Sequence, residues 1–384
     1  MSAPSAATQA QATSPVHEPG PDAPAPGIAL CLSGGGYRAM VFHLGVLWRL
    51  NEIGYLAKLD RISSVSGGSI TAGVLGLKWK DLDFQGGIAQ HLLDLVINPI
   101  RQFAHVNIDI PSLLEGIFLP GTISDKVAHA YDTHLFKGAT LQDLPDDPPR
   151  VVLSATNVQT GALWRFSKPY MRDYLVGGIL EPRLPLATAV AASSAFPPVL
   201  SPARLHLNPA DFAPRDGEPH HTPPYTQEVF LSDGGVYDNL GLETAWKRYQ
   251  TILVSDAGLD MTVDPSPGTN WISHSRRVLD LIDNQVRALR KRQIVSAYLA
   301  GQRKGAYWSV RSDITNYAPA PNTLPCPNTK TADLAQIPTR LSDMPDETQE
   351  RLINWGYAIC DAAMRRWVDA TIPPPTKFPY PRGV

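Results

Sequence analysis

Residues 28–79 read IALCLSGGGYRAMVFHLGVLWRLNEIGYLAKLDRISSVSGGSITAGVLGLKW. IALCL (28–32) is a short apolar run closed by Gly34-Gly35-Gly36, the pattern of a buried strand and a tight turn. Met40, Leu44, Leu47 and Leu50 then recur at helical spacing. A second short strand, Ile62 to Val65, breaks at Ser66-Gly67-Gly68-Ser69 and leads into a helical ITAGVLGLKW. Strand, helix, strand, helix in succession implies a parallel sheet with crossover helices.

The rest of the chain extends this pattern. RVVLSAT (150–156), EVFLSD (228–233) and TILVSD (251–256) read as strands, and AYWSV (306–310) as a late one. Helices are expected at 186–197, at LETAWKRY (242–249), at 275–300 and at 346–368, the last with Pro345 set for its first turn. Residues 86–135 are apolar, mostly helical and broken by Pro99, Pro111 and Pro120. Residues 207–226 form a polar loop insertion. One domain over 28–370 is expected, between a disordered Pro/Ala-rich tail at 1–27 and a Pro-rich C-terminal tail at 371–384.

Composition narrows the function. The formal net charge of −2 leaves no global polycation for nucleic acid. The three cysteines, Cys31, Cys326 and Cys360, are widely spaced and lack a CxxC, which fits a reducing compartment and neither a disulfide framework nor a zinc site. The first residues have no basic region followed by an apolar one, so no secretory signal is read there. No apolar run is long enough to span a bilayer. A soluble, cytoplasmic protein that touches membranes only peripherally is expected.

Three motifs carry chemistry. Ser64-Val65-Ser66-Gly67-Gly68 lies between a strand and a helix, where a sharp turn would hold the Ser66 hydroxyl out of the sheet. Ser33-Gly34-Gly35-Gly36-Tyr37-Arg38 offers backbone N–H groups without side-chain obstruction, suited to an oxyanion or a phosphate. Asp233-Gly234-Gly235 ends a strand, on the edge of the sheet where α/β sites gather. Each alone is a common turn. Gly34, Gly36 and Ala39 also satisfy a loose dinucleotide fingerprint, but that reading wants an acid at the end of the second strand, where Ser66 stands instead.

Taken together, in this order, the three motifs resemble the patatin-like phospholipase family. Ala192-Ser193-Ser194-Ala195-Phe196-Pro197 and Asp238-Asn239 add to the likeness, which runs from about residue 28 to 310. It departs at Ser64, Ser33 and Ala39, where the family often has Gly, Asp and Gly. The resemblance implies a three-layer α/β/α fold with a central, mostly parallel sheet. It implies a serine acyl hydrolase of phospholipids or other acyl-ester lipids at a membrane surface, needing no cofactor or metal. Ser66 would be the nucleophile and Asp233 its base, with no histidine. Gly34, Gly35 and Gly36 would form the oxyanion hole, Gly67 adding a further donor. Arg38 would either hold the glycine loop or meet a lipid phosphate. A lipid-binding or signalling module, inactive until a partner triggers it, is the alternative.

Other residues fit these roles less well. Among ten histidines, His43, His206, His220 and His221 could in principle complete a triad, but none carries a local signature. His220-His221 lacks further metal ligands. Asp256 ends a strand and reads as a turn or cap. The helix at 275–300 carries Arg276, Arg277, Arg287, Arg290, Lys291 and Arg292 on one face and Val278, Leu281, Ile282, Val286 and Leu289 on the other. It reads as a solvated helix packed by its apolar face, or as a surface for anionic headgroups. Segment 91–119, with Leu92, Leu93, Leu95, Val96, Ile97, Ile100, Leu113, Leu114, Ile117 and Phe118, reads as core helix or as a lid over an acyl pocket.

Overall fold

A computed structural model describes residues 24–108, 122–213, 218–259, 261, 263–317 and 322–384. The strands are β1 (Ala25–Leu32), β2 (Arg61–Val65), the small hairpin β3 (Phe84–Gln85) and β4 (Ile88–Ala89), β5 (Arg150–Asn157), β6 (Leu163–Phe166), β7 (Tyr170–Asp173), β8 (Gly177–Leu180), β9 (Ala203–His206), β10 (Glu228–Asp233), β11 (Tyr249–Asp256) and β12 (Lys304–Ser309). The α-helices are α1 (Gly36–Glu52), α2 (Gly67–Lys78), α3 (Asn98–Phe103), α4 (Ile123–Tyr131), α5 (Leu186–Ser193), α6 (Gly235–Asp238), α7 (Glu243–Trp246), α8 (Trp271–Leu299), α9 (Asn328–Ala335) and α10 (Asp346–Trp367).

The main sheet runs β12-β11-β1-β2-β5-β6-β7-β8, parallel from β12 through β5 and antiparallel beyond. Alternation along its strands makes two apolar faces. Leu30, Leu32, Leu253, Ala306 and Trp308 join the core with α1, α2 and α10. Ala29, Cys31, Ile252, Val254 and Tyr307 pack with residues of α7 and α8 on the other face. This is the expected three-layer α/β/α arrangement.

Two strands run toward each other along one edge of β5. The parallel β2 ends with Val65 opposite Ser154. From the opposite direction comes β10, antiparallel to β5, ending with Asp233 opposite Ala155. The other edge of β5 is taken by β6. The motifs at Ser66 and Asp233 therefore meet head to head.

Outside the sheet, α10 lies across α1. A Cβ on Gly45 would collide with the Ile353 carbonyl oxygen, and one on Gly356 with that of Phe42. The same crossing buries an ion cluster, in which Arg49 reaches Asp361 at 2.8 Å and Arg365 reaches Asp361 at 3.0 Å. Gly356→Ala must push two helix backbones apart, because a carbonyl cannot turn away as a side chain can. We expect it to lower stability by about 2–3 kcal/mol, read as a shifted urea midpoint at unchanged slope; an unshifted midpoint would show that the crossing yields freely.

Several expectations need correction. β1 begins at Ala25, inside the stretch assigned to the N-terminal tail, because Ala25 pairs with Tyr249. Residues 371–384 are irregular but packed: Asn354 donates to the carbonyls of Tyr380 and Gly383, and Val384 is buried. The helix read at 242–249 lasts only from Glu243 to Trp246, since Tyr249 already belongs to β11. Pro99 stands in the first turn of α3, which continues directly from a π-helical turn at Leu93–Ile97, so the helical run changes its hydrogen-bond pattern beside the proline.

Within 91–108, Leu92, Val96, Ile97 and Ile100 are core. Leu113, Leu114, Ile117 and Phe118 lie outside the described residues. The long helix is reversed relative to expectation. Arg287 is buried and Arg290 pairs with Glu243 at 2.9 Å, while Val278, Leu281, Ile282 and Leu289 are exposed.

Candidate active site

Ser66 joins β2 to α2 with φ 51° and ψ −121°, a conformation side chains rarely adopt. Holding it there costs on the order of 1–3 kcal/mol, which the surroundings must supply. Its N–H donates to Ser193 Oγ at 3.0 Å, and that hydroxyl donates to the Ser154 carbonyl at 2.7 Å. Gly67 begins α2 against the glycine loop, where a Cβ would strike the Gly36 carbonyl oxygen. A side chain there would drive the two motifs apart.

Asp233 is buried, and the Ser66 side chain favours its ionised form. Its Oδ1 also accepts the Gly235 N–H at 2.7 Å. Burial pushes its carboxyl up to about 7, and the bonds from Gly235 and Ser66 oppose that rise. Its backbone is fixed on both sides: Asp233 N–H donates to the Ala195 carbonyl at 2.8 Å, and Gly234 N–H to that of Ser193 at 3.2 Å. The Ser193–Ala195 segment thus holds both motifs. In the sequence this segment shows only a secondary likeness to the family.

In the glycine loop, Gly35 and Gly36 stand at the start of α1, and Gly67 at the start of α2. Amides there have no acceptor one turn earlier in their own helix. Gly34 differs, because its N–H donates to the Asn239 carbonyl at 3.1 Å. What Gly34 supplies is room, since a Cβ would meet the Asn239 side chain and, at 3.1 Å, Ser66 Cβ. Gly36 has φ 57°, which a glycine adopts without strain.

Arg38 is buried beneath the loop. It donates to the carbonyls of Ala257, at 3.0 Å, and Ile337, and to Thr339 Oγ1 at 3.1 Å. Burial pulls its guanidinium down to about 10. Of the two roles read for it, the geometry matches the one that holds the loop. Its anchor is a segment the sequence did not single out, 337–340, whose Arg340 carbonyl also accepts the Tyr37 N–H at 2.9 Å.

The histidines lie elsewhere. His43 is buried between Ser255 Oγ, at 2.9 Å, and the Ser33 carbonyl, at 3.0 Å, and burial pulls its imidazole down to about 4. His221 Nδ1 is 3.0 Å from the Val176 carbonyl, His220 packs on Tyr225, and His206 pairs with Glu228 at 3.9 Å. Asp256 accepts from Tyr307 at 2.6 Å and from Gly258 at 2.9 Å, a structural anchor. Among the described residues, no group of three or more His, Cys, Asp or Glu is placed to hold a metal ion. A cavity of about 830 Å³ lies on the β12 edge, lined by Tyr298, Tyr307 and Trp367, and Ser66 does not line it.

The α/β/α fold thus brings a serine at a strand-to-helix turn, a buried aspartate and a glycine loop to one edge of the sheet. A family model described as patatin-like phospholipase matches residues 30–246. The chain belongs to the patatin-like phospholipase family.

Among solved structures, human GIVD cytosolic phospholipase A2 in complex with methyl gamma-linolenyl fluorophosphonate and terbium chloride is similar with a TM-score of 0.50 and 16% identity, over 88% of this chain and 57% of that one. A further structure of human GIVD cytosolic phospholipase A2 gives a TM-score of 0.48 at 15% identity, over 87% and 60%. VipD from Legionella pneumophila gives 0.33 at 14% identity, over 87% and 66%. At such identity the likeness concerns the fold alone, and the chain spans less than two thirds of the human enzyme. None of the curated proteins compared with the chain matches it.

Proposed function

We propose that the protein hydrolyses acyl esters of lipids, as a phospholipase A or lysophospholipase does, through a Ser66–Asp233 dyad. The observation that carries this reading is Ser66 in its strained turn, brought by β2 and β10 against a buried carboxyl whose ionised form its side chain favours. Asp233 takes the hydroxyl proton as Ser66 attacks the ester carbonyl. The oxyanion of the tetrahedral intermediate is met by the N–H groups of Gly35, Gly36 and Gly67, at two helix starts whose dipoles favour negative charge. Gly34, named with them from the sequence, leaves space instead of donating. Collapse expels the alcohol, the lysolipid or glycerol moiety, which recovers the proton from Asp233. Water, deprotonated by the same carboxylate, then releases the fatty acid.

The chemistry needs only side chains and backbone amides of this chain. Lipid substrate implies work at a membrane surface, in keeping with a protein in whose described residues no helix is long and apolar enough to cross a membrane.

The test is labelling with a fluorophosphonate probe, followed by peptide mapping. Modification of Ser66, together with fatty acid release from phospholipid dispersions, is the expected result. Labelling elsewhere, with release unaffected by Ser66→Ala, would overturn it.

A histidine requirement is tested separately. His43→Gln and single Ala substitutions at His206, His220 and His221 should each leave hydrolysis within about tenfold of the wild type, whereas losing a general base costs ~10²–10⁴. A drop at one of them as large as that of Asp233→Ala would restore a triad.

A further inference from the structure

Over β1 and β11 one face of the main sheet is apolar, with Ala29, Cys31, Ile252 and Val254 packed against α7 and α8. Strand register carries the same face across to β2, β5, β6 and β7, where arginines replace the apolar residues. Arg61 pairs with Ala29 on one side and with Arg150 on the other. Along β5 that face continues to Ser154, which pairs with Arg165. Arg165 pairs in turn with Arg172. Tyr170, two residues before Arg172, shares the face because side chains alternate along a strand. Arg61 and Arg150 are thus like charges placed directly opposite each other in the middle of a sheet, which destabilises it.

The protein does little to cancel this charge. Arg61 is only 2% exposed. It donates to the Thr244 carbonyl at 2.8 Å and lies over the Tyr249 ring, 5.4 Å from its centre, while its Nε has no partner. Arg150 pairs with Asp147 and lies over the Tyr170 ring, 5.9 Å from its centre. The other acids nearby are committed elsewhere. Asp60 accepts the Ile28 N–H at 2.7 Å, Glu218 pairs with Arg172 at 3.8 Å, and Glu243 is taken by Lys247 and Arg290. Tyr170 registers the result. Burial would raise its phenol, but Arg165, Arg61, Arg248 and Arg150 together bring it below the ordinary tyrosine value. A guanidinium buried without a carboxylate is costly, and packing of the chain gives no reason for one here.

We propose that Arg61, Arg150, Arg165, Arg248 and Tyr170 form a second site, which binds a phosphate group. It does not depend on the hydrolase reading. Arg61 opens β2 and Ser66 follows its last residue, so the two sites stand roughly 16 Å apart along the strand. Arg248 is exposed, and Arg150 and Tyr170 are half-buried, so the cluster opens to solvent. A phosphate suits it better than a carboxylate. Each guanidinium fork grips two oxygens, and a tetrahedral dianion has oxygens for more than one fork. The Tyr170 hydroxyl is a further donor. Inorganic phosphate and a lipid phosphate share this chemistry, and the test separates them.

Isothermal titration calorimetry with inorganic phosphate, against chloride at matched ionic strength, reads the free group. Co-sedimentation with phosphatidylcholine vesicles, with and without phosphatidic acid, reads the headgroup, in Ser66→Ala protein so that nothing is hydrolysed. Arg61→Gln and Arg248→Gln should each weaken binding at least about tenfold, the loss of one charge-assisted contact. Arg248 is exposed, so its replacement leaves the core intact and carries the test even where Arg61→Gln fails to fold. Bound phosphate should also raise the Tyr170 phenol, a shift present in the ultraviolet titration of the wild type and missing from that of Tyr170→Phe.

Heat from inorganic phosphate that the variants lose supports the site with a free phosphate as ligand. Sedimentation that needs phosphatidic acid and that the variants lose, without heat from inorganic phosphate, supports it with a headgroup instead. Absence of binding in both assays, or binding that Arg248→Gln does not weaken, overturns the site. So does a Tyr170 phenol that bound phosphate leaves unmoved.

Discussion

Ser66→Ala and Asp233→Asn should each lose ester hydrolysis by on the order of 10⁴-fold or more, and the double variant should be no worse than the poorer single. The non-additivity follows from the geometry. Asp233 has no route to the substrate except through the Ser66 hydroxyl or the water that later takes its place, so once one member is gone the other has nothing to act on. Neither substitution should unfold the protein, because the backbone around both residues is held through Ser193, Ala195 and Ser154, and Asn at 233 keeps an oxygen for the Gly235 N–H. Turnover of a short-chain chromogenic ester, beside a thermal melt, measures both points. A Ser66→Ala protein with wild-type turnover would falsify the dyad.

Hydrolysis by the wild type should also fall about tenfold for each pH unit below about 7, reaching roughly a hundredth of its plateau near pH 5. The cause is burial of Asp233, which pushes the carboxyl up to about 7. A protonated carboxyl cannot accept the serine proton, so only the ionised fraction is active. Stability runs the other way. The folded state keeps the Asp233 proton up to about 7, whereas the unfolded chain loses it near the ordinary aspartate value of 3.8. Between those values the unfolded state binds fewer protons, so this group's contribution is complete below pH 4 and disappears as the pH rises through 7. Asp233→Asn removes the buried charge and should gain stability over the wild type progressively from pH 4 to 7, by a few kcal/mol at most. Melting curves at pH 4.5 and 8 check this; a difference between the proteins that does not grow with pH would mean that Asp233 is ionised throughout.

The strands of the parallel half were legible in the sequence because buried strands are short apolar runs closed by glycine or aspartate. IALCL and TILVSD stand out for that reason, and so does EVFLSD, the antiparallel β10. The hairpin strands β7 and β8 were not, since YMRD and GGIL have neither an apolar run nor a clean alternation. Nor was the direction of β10 legible, because hydrophobicity carries no sign of which way a strand runs. At the site, glycines marked the loop and both turns, since side chains are excluded where backbones touch. Ser193 and the 337–340 segment went unnoticed as supports because they act through a hydroxyl and through carbonyls, groups that most sequences offer everywhere. The orientation of α8 was misread for a related reason. Periodicity shows that a helix has two faces, and the inward one follows only from partners such as Glu243 and Asp256, far away in the chain.

Because β2 and β10 end opposite neighbouring residues of β5, Ser154 and Ala155, the separation of Ser66 from Asp233 is measured off on one strand as on a ruler. The long stretch of chain between them does not set it. Insertions at 207–226, or in the apolar segment after β4, can therefore lengthen or vary without moving the reacting groups. Inserting or deleting one residue in β5 would shift the marks by about 3.3 Å and turn every following side chain to the other face. The tolerance of this chain to change is thus strongly uneven. Its insertions outside the sheet are free to diversify, while an interior strand that contributes no reacting group is held to a fixed length.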